Sequence, residues 1–212
     1  MGGLKDPPIL IMECVIVGNG ESLKDTPLFL LSKKYDVFAC NRIHLIYPST
    51  PFRPKYYVRT EPPAQEDESQ PFFDECRLHI LYGEQCIFPS AWKHALGEKP
   101  NIEWVNTCHH FEYDHRSRKA PKTWHLPFLC DFGTTVTVMM QIAVLKGYTK
   151  IILVGCDLNG GHFSQDYDRS IQTDLWIRAH EIAAQSCPIP IVNATVGGIL
   201  EAYPKKRVEE LL

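Results

Sequence analysis

The hydrophobic pattern is clearest between residues 133 and 163, where it begins with a predicted helix. Apolar residues at 136–144 recur at spacings of three and four, which indicates one apolar helical face. Thr134 or Thr135 can cap the first turn with a hydroxyl group that accepts a backbone N–H. Gly147 can supply the left-handed residue with which such helices commonly end.

A buried strand and a polar loop follow this helix. Residues 151–154 are apolar and β-branched at nearly every position, as expected of a central parallel strand covered on both faces. The run ends at Gly155, Cys156 and Asp157, and a polar loop that contains His162 follows. In open α/β sheets, ligands bind just outside the carboxyl ends of the strands, so we expect the chemistry of the protein here.

The remainder of the chain repeats the alternation of strands and helices. Further strands are predicted at residues 9–17, 35–42, 55–60 and 189–195, and further helices at 21–24, 28–34, 171–186 and 208–212. This alternation predicts an α/β class with a mostly parallel sheet and helices on both faces, that is, a single Rossmann-like domain over residues 1–212. Residues 61–130 carry short apolar pieces interrupted by Pro, Gly and charge, and we expect an irregular insertion that covers the site.

Composition narrows the class of protein. A formal net charge of −3 lacks the basic face that nucleic-acid binding requires, so we expect no nucleic-acid partner. No apolar run approaches the roughly 20 residues that span a bilayer, and the N-terminus lacks the apolar core of a secretory signal. The eight cysteines have no metal-site spacing, which favours reduced, buried thiols in a cytoplasmic protein.

The first predicted strand leads into Gly18, Asn19 and Gly20 and then into a short helix that contains Ser22. Glycines let the backbone approach an anion, and the free N–H groups at a helix start can bind a phosphate. The third glycine of a dinucleotide fingerprint is missing, so a tight turn without a ligand explains the motif equally well.

Other polar residues follow strands or cluster in loops. Asn41 and Arg42 end the second strand, where an amide can bind a ribose or base and a guanidinium a phosphate. A turn Asn and a solvated Arg are the alternative. For the three histidines between residues 109 and 115, the spacing favours a surface loop over a metal site, because no Cys or carboxylate is spaced to complete a tetrahedron.

Several motifs stand together in order along the chain: VIVGNGESL, DVFACNR, GTTVTVMMQIAVLKGYTKIILVGCDLN, GHFSQDY and IVNATVGGILEAYP. The set resembles a bacterial superfamily that joins lipooligosaccharide sialyltransferases with domains of flagellin-glycosylation (motility accessory) proteins. Archaeal 6-hydroxymethylpterin diphosphokinase-like proteins are another branch. The resemblance covers about residues 12–60 and 130–212.

The resemblance implies roles for individual residues. The nucleotide-phosphate turn and the G-x-D at a strand end match Gly18, Asn19, Gly20, Ser22, Gly155 and Asp157. Asn41 matches an Asn that contacts the nucleotide or its sugar. The candidate catalytic residues are His162 as the base, Tyr167 as the phosphate donor, and Asp157 at the strand end. A capping or core role for His162 is an equal alternative.

The implied function is glycosyl transfer from a nucleotide sugar, with a CMP-linked sugar among the candidates, to a glycan or small-molecule acceptor in surface polysaccharide or glycoconjugate synthesis. Such transfer requires no metal, since a histidine, tyrosine hydroxyls and backbone N–H groups can perform it. One alternative is diphosphate transfer from ATP, with Mg²⁺ held by Asp157 and by Asp166 or Asp168. Another is a nucleotide-binding module without catalysis. The oligomeric state stays open, a homo-oligomer included.

Overall fold

Seven parallel strands form the central sheet of the computed structural model, which describes residues 12–61, 69–108, 124, 129–130, 134–165 and 173–212. In chain order the described strands are β1 (Glu13–Val17), β2 (Asp36–Cys40), β3 (Tyr56–Val58), β4 (Gln85–Pro89), β5 (Ile102–Val105), β6 (Thr107–Cys108), β7 (Leu129–Cys130), β8 (Lys150–Val154) and β9 (Ile191–Asn193). Their order in the main sheet is β5-β4-β3-β2-β1-β8-β9, and β6 pairs with β7 in a separate two-stranded sheet. Each pairing between these strands is parallel.

Helices cover both faces of this sheet. The α-helices are α1 (Leu28–Lys34), α2 (Ser69–Leu81), α3 (Lys93–Leu96), α4 (Thr135–Leu145) and α5 (Thr173–Ser186). Short 3₁₀ helices occupy residues 21–25, 43–49, 90–92 and 208–211. The predicted α/β class, with a parallel sheet and helices on both faces, is confirmed.

The alternation of side chains in β1 explains why both faces are covered. Cys14 and Ile16 pack in one hydrophobic cluster with α4 and α5, whereas Val15 and Val17 pack in the other with α1 and α2. All four side chains are fully buried. A strand without a polar face can be stable only between two helical layers, which places β1 at the centre of the molecule.

Helix α4 has the two ends that the sequence predicts. The side chain of Thr134 accepts a hydrogen bond from the backbone N–H of Val136 at 3.3 Å, so Thr134 is the N-cap and Thr135 the first helical residue. Gly147 follows the helix with φ of +80°, in the left-handed region. The helix delivers the chain to β8 in register beside β1, where Val17 pairs with Val154.

Residues 69–105 differ from the irregular insertion expected from the sequence. They form α2, α3 and the strands β4 and β5, which extend the main sheet. Pro71 lies in the first turn of α2, where a proline is tolerated because its missing N–H would have no helical acceptor. Phe72 and Cys76, four residues apart, are buried against the sheet.

Candidate functional site

The site lies where the strand order reverses. From β1 the chain adds strands in one direction as far as β5, and it then returns to place β8 on the other side of β1. The loops that leave β1 and β8 therefore lead to helices on opposite faces of the sheet, and the edge between them is the usual location of a ligand site in an open α/β sheet.

The turn after β1 is bonded directly to the loop after β8. The N–H of Gly18 donates to the carbonyl of Val154 at 2.9 Å, and the N–H of Gly20 donates to the carbonyl of Gly155 at 2.8 Å. A Cβ at Gly18 would lie 2.3 Å from the oxygen of Gly155, and one at Gly20 would lie 1.7 Å from the Oδ2 of Asp157. Close contact between the two loops thus requires both glycines of the turn.

Asp157 joins the same two loops through its side chain. It is buried, with 3% of its surface exposed. Its Oδ1 accepts the backbone N–H of Ser22 at 3.3 Å, and its Oδ2 accepts the Ser22 hydroxyl at 2.9 Å. Burial raises the pKa of this carboxyl group, and the hydrogen bonds from Ser22 oppose that rise. The N–H and hydroxyl groups of Ser22, which the sequence suggested as phosphate ligands, therefore donate to the carboxylate of Asp157.

Glu21, which follows the second glycine of the turn, faces solvent. Its side chain is 60% exposed and forms an ion pair with Lys24 at 3.3 Å. The charge of Glu21 is thus directed outward rather than toward Asp157.

Asn19 connects the ends of β1 and β2. Its Nδ2 donates to the carbonyl of Cys40 at 3.3 Å and lies 3.5 Å from the Cys40 Sγ. Its Oδ1 is buried and has no hydrogen-bond partner within the part of the chain that the structure describes. A buried acceptor left in this way costs about 1–3 kcal/mol, which a bound donor group would recover.

His162 lies on the loop after β8 and packs on the turn after β1. Gly20 and His162 form an isolated antiparallel bridge, and the N–H of Phe163 donates to the carbonyl of Asn19 at 3.2 Å. The Nδ1 of His162 lies 3.2 Å from the same carbonyl. A ring nitrogen can bond to a carbonyl only as a donor, so this contact favours the tautomer with the proton on Nδ1 and leaves Nε2 as the basic nitrogen.

Asn41 and Arg42 reach the same edge from β2. Asn41 adopts a left-handed conformation with φ of 55°, and its carbonyl accepts the hydroxyl of Tyr57 at 2.8 Å. The Nε of Arg42 lies 2.9 Å from the Oε1 of Glu75 on α2. Tyr167, Asp166 and Asp168, together with the histidines between 109 and 115, lie outside the described residues.

Two parts of this edge were not identified from the sequence. After β3 come Arg59 and Thr60, both buried, and the Thr60 hydroxyl has no hydrogen-bond partner among the described residues. After β9, the hydroxyl of Thr195 accepts the N–H of Cys156 at 3.0 Å, and the N–H of Ile199 donates to the carbonyl of Asp157 at 2.8 Å. Polar residues follow both strands, and this pattern is the sequence signal from which the two segments could have been identified.

The edge therefore offers hydrogen-bond acceptors, guanidinium groups and one oriented imidazole. These groups are suited to a polar, anionic ligand such as a nucleotide. Among the described residues, no group of three or more His, Cys, Asp or Glu side chains is arranged to hold a metal ion.

The fold defines the class: this is an α/β protein with the fold of sialyltransferase-like glycosyltransferases. Among solved structures, it is similar to the MAf glycosyltransferase from Magnetospirillum magneticum AMB-1, with 17% sequence identity and a TM-score of 0.61 over 96% of this chain. It is also similar to the sialyltransferase CstII from Campylobacter jejuni in complex with cytidine-5'-monophosphate, with 15% identity and a TM-score of 0.55 over 92% of this chain. A complex of this sialyltransferase with a trisaccharide acceptor and CMP gives 17% identity and a TM-score of 0.55 over 91% of this chain.

These similarities confirm, at the level of the fold, the resemblance that the motifs indicated. The chain spans 34% of the MAf glycosyltransferase and 84% and 85% of the two CstII structures. No protein-family model matches the chain, and no curated protein matches it. Within the described residues, no helix is both long enough and apolar enough to cross a bilayer.

Proposed function

We propose that this chain is a glycosyltransferase that binds a nucleotide sugar at the carboxyl edge of β1, β2 and β3 and transfers the sugar to a glycan or small-molecule acceptor. The observation that carries the proposal is the buried Oδ1 of Asn19, which lies where the strand order reverses and has no hydrogen-bond partner among the described residues. Because Nδ2 is tied to Cys40, Oδ1 is presented as an acceptor to a ligand hydroxyl or amino group. The fold shared with two CMP-bound sialyltransferase structures supports a nucleotide as that ligand, with CMP first among the candidates.

In this proposal the turn and the loops around it have separate tasks. Asn19 and Asn41 hold the nucleoside, Arg42 contacts the phosphate, and Tyr167 donates a hydrogen bond to the departing phosphate. Close packing of the backbone at Gly18, Gly20 and Gly155 keeps Asn19 in position. Asp157, bonded to Ser22, is a positioning residue for this turn.

His162 is the proposed general base. With the Nδ1 proton bonded to the carbonyl of Asn19, Nε2 can accept the proton of the acceptor hydroxyl as the new glycosidic bond forms. The sugar–phosphate bond breaks, and the electron pair leaves with the nucleotide phosphate. Diphosphate transfer through a Mg²⁺ ion on Asp157 is less well supported, because both carboxyl oxygens of Asp157 already accept hydrogen bonds from Ser22.

We further propose that the protein acts in the cytoplasm, in the synthesis of surface polysaccharide or another glycoconjugate. The six cysteines whose side chains the structure describes are free, and five of them are buried. Free thiols are typical of a reducing compartment.

The test combines binding and turnover. Thermal unfolding with CMP, UDP, GDP or ATP should show a raised midpoint for the nucleotide that matches the donor, because a ligand of the folded state stabilises it by RT ln(1 + [L]/Kd). His162→Ala should leave that shift nearly unchanged and lower nucleotide release from the donor sugar by roughly 10²- to 10⁴-fold. Turnover that persists in EDTA supports glycosyl transfer.

Three results would count against the proposal. Loss of activity in EDTA would favour diphosphate transfer, and equal turnover of wild type and His162→Ala would remove His162 from the mechanism. Nucleotide binding without turnover of any donor would indicate a nucleotide-binding module without catalysis.

A further inference from the structure

Glu75 on α2 is shared by two arginines that follow neighbouring strands. Its Oε1 lies 2.9 Å from the Nε of Arg42, which follows β2, and its Oε2 accepts a hydrogen bond from the Nη1 of Arg59, which follows β3. Since β2 and β3 are parallel neighbours, both side chains extend from the carboxyl edge of the sheet. One carboxylate thus holds two guanidinium groups, one on each oxygen.

The two arginines differ in exposure. The Arg59 side chain is 7% exposed, and its guanidinium lies over the ring of Phe72 at 4.0 Å. The Arg42 side chain is 40% exposed. A buried guanidinium needs its counter-ion, so Glu75 has to stay with Arg59. Arg42 can leave Glu75 without stranding a buried charge, because Arg59 continues to neutralise the carboxylate.

Arg42 is also close to the proposed nucleotide site. It directly follows Asn41 and is two residues beyond Cys40, whose carbonyl accepts the Asn19 side chain. Two residues of chain span about 7 Å at most, which a long arginine side chain can cover. The Arg42 guanidinium, which is paired with Glu75, therefore lies at the same edge of the sheet as the buried Oδ1 of Asn19.

We propose that Glu75 competes with the phosphate of the bound nucleotide for Arg42. Without a ligand, Arg42 is paired with Glu75 on α2. When a nucleotide phosphate enters the site, Arg42 leaves Glu75 and forms a charge-assisted pair with the phosphate. Glu75 then remains paired with Arg59. The ligand class is a nucleotide with at least one phosphate group, and the inference rests on the proposed nucleotide site but not on catalysis.

The experiment is calorimetric titration with CMP, cytidine and inorganic pyrophosphate. Arg42→Gln should weaken CMP binding roughly 10- to 100-fold, as expected for one lost charge-assisted contact, and leave cytidine binding unchanged. Arg77→Gln is the matched control, because Arg77 lies on α2, is 41% exposed and pairs with one carboxylate, that of Asp74. It should change neither affinity.

The competition itself is tested by Glu75→Gln. This change should raise CMP affinity roughly two- to fivefold, the effect of removing one partly exposed ion pair, and the gain should vanish in Arg42→Gln/Glu75→Gln. If Glu75→Gln fails to fold because Arg59 loses its counter-ion, Arg59→Met/Glu75→Gln removes the buried pair together and still releases Arg42 from Glu75.

Two outcomes overturn the inference while the proposed function stands. One is a CMP affinity of Arg42→Gln equal to that of the wild type. The other is a Glu75→Gln protein that binds CMP as poorly as Arg42→Gln, since Glu75 would then orient Arg42 rather than compete for it. If the wild type binds no nucleotide, the proposed function fails and the inference fails with it. If the wild type binds CMP, its binding of pyrophosphate should also depend on Arg42, and pyrophosphate binding that is equal in Arg42→Gln would overturn the inference alone.

Discussion

At the scale of single residues, Asp157 shows why a glycine turn after a strand can be misread. The turn after β1 has the glycines of a phosphate cradle, but the N–H and hydroxyl of Ser22 are bonded to Asp157. Ser22 and Asp157 are 135 residues apart in the chain, so no local pattern could predict this bond. Both loops lie at one edge of the sheet because each follows a parallel strand, and the sequence predicted both of these strands.

The contact between Gly20 and Asp157 leads to a prediction about stability. Gly20→Ala should lower the free energy of unfolding by about 1–3 kcal/mol, the usual cost of overpacking a tight contact. The new methyl group would have to displace the Asp157 carboxylate and the carbonyl of Gly155. Chemical denaturation of both proteins measures the difference.

Gly161→Ala is the control for this measurement. A Cβ at Gly161 would meet the end of the flexible Glu21 side chain at 3.0 Å, which can move away, so the change should stay within about 0.5 kcal/mol. Equal effects of the two alanines would mean that the loop contact at Gly20 does not require a glycine.

At the scale of secondary-structure elements, the predicted segments depend on residues that are close in sequence, whereas the unpredicted ones depend on residues that are distant in the chain. The α4–β8 unit was predicted because helix period, cap residue and apolar strand all lie within one short segment. Helix α2 was not predicted, because a proline opens it and its charged residues are oriented by distant partners such as Arg59 and Arg42. Its buried side chains are recognisable only once the sheet is in place.

Helix α5 carries a buried titratable group that makes its packing sensitive to acid. His180 is 1% exposed, and its Nδ1 lies 3.0 Å from the hydroxyl of Tyr203, which donates to the His180 carbonyl. Desolvation lowers the pKa of His180 to about 4. Between pH 6.5 and 4 the unfolded chain therefore binds a proton that the folded chain does not, and stability falls as the pH falls.

The prediction is that His180→Phe removes this part of the acid dependence. Between pH 6.5 and 4 the wild type should lose up to about 3 kcal/mol of unfolding free energy more than the variant, from 1.36 kcal/mol for each pH unit. Denaturant titrations at several pH values measure the two slopes. His94→Gln, a change at an exposed histidine on α3, is the control, and parallel curves for wild type and His180→Phe would refute the assignment.

At the scale of the whole molecule, the parallel strands and the reversal of their order at β1 set the location of the proposed nucleotide site. Residues 18–22, 41–45, 59–61 and 155–163 leave the carboxyl ends of four adjacent strands, whereas residues 34–36, 82–85 and 147–150 enter at the amino ends. The site geometry thus depends on the topology, which the order of predicted strands could not supply.

Amide hydrogen exchange can test this division of the molecule. A saturating nucleotide should slow exchange in the four segments at the carboxyl ends, because binding raises the free energy of local opening there. The three segments at the amino ends serve as an internal control and should exchange as before. Protection confined to the amino ends, or spread evenly over the sheet, would contradict the proposed location.

The close contact between Gly20 and Asp157 also has a consequence for sequence evolution. In any lineage of such chains, the two positions should covary: a residue larger than glycine at position 20 should be accepted only where position 157 has lost its carboxylate and the carbonyl of Gly155 has shifted. Conservation of the glycine turn would then reflect the contact between Gly20 and Asp157 rather than selection for phosphate binding. A divergent descendant could retain the turn long after it had ceased to bind any nucleotide.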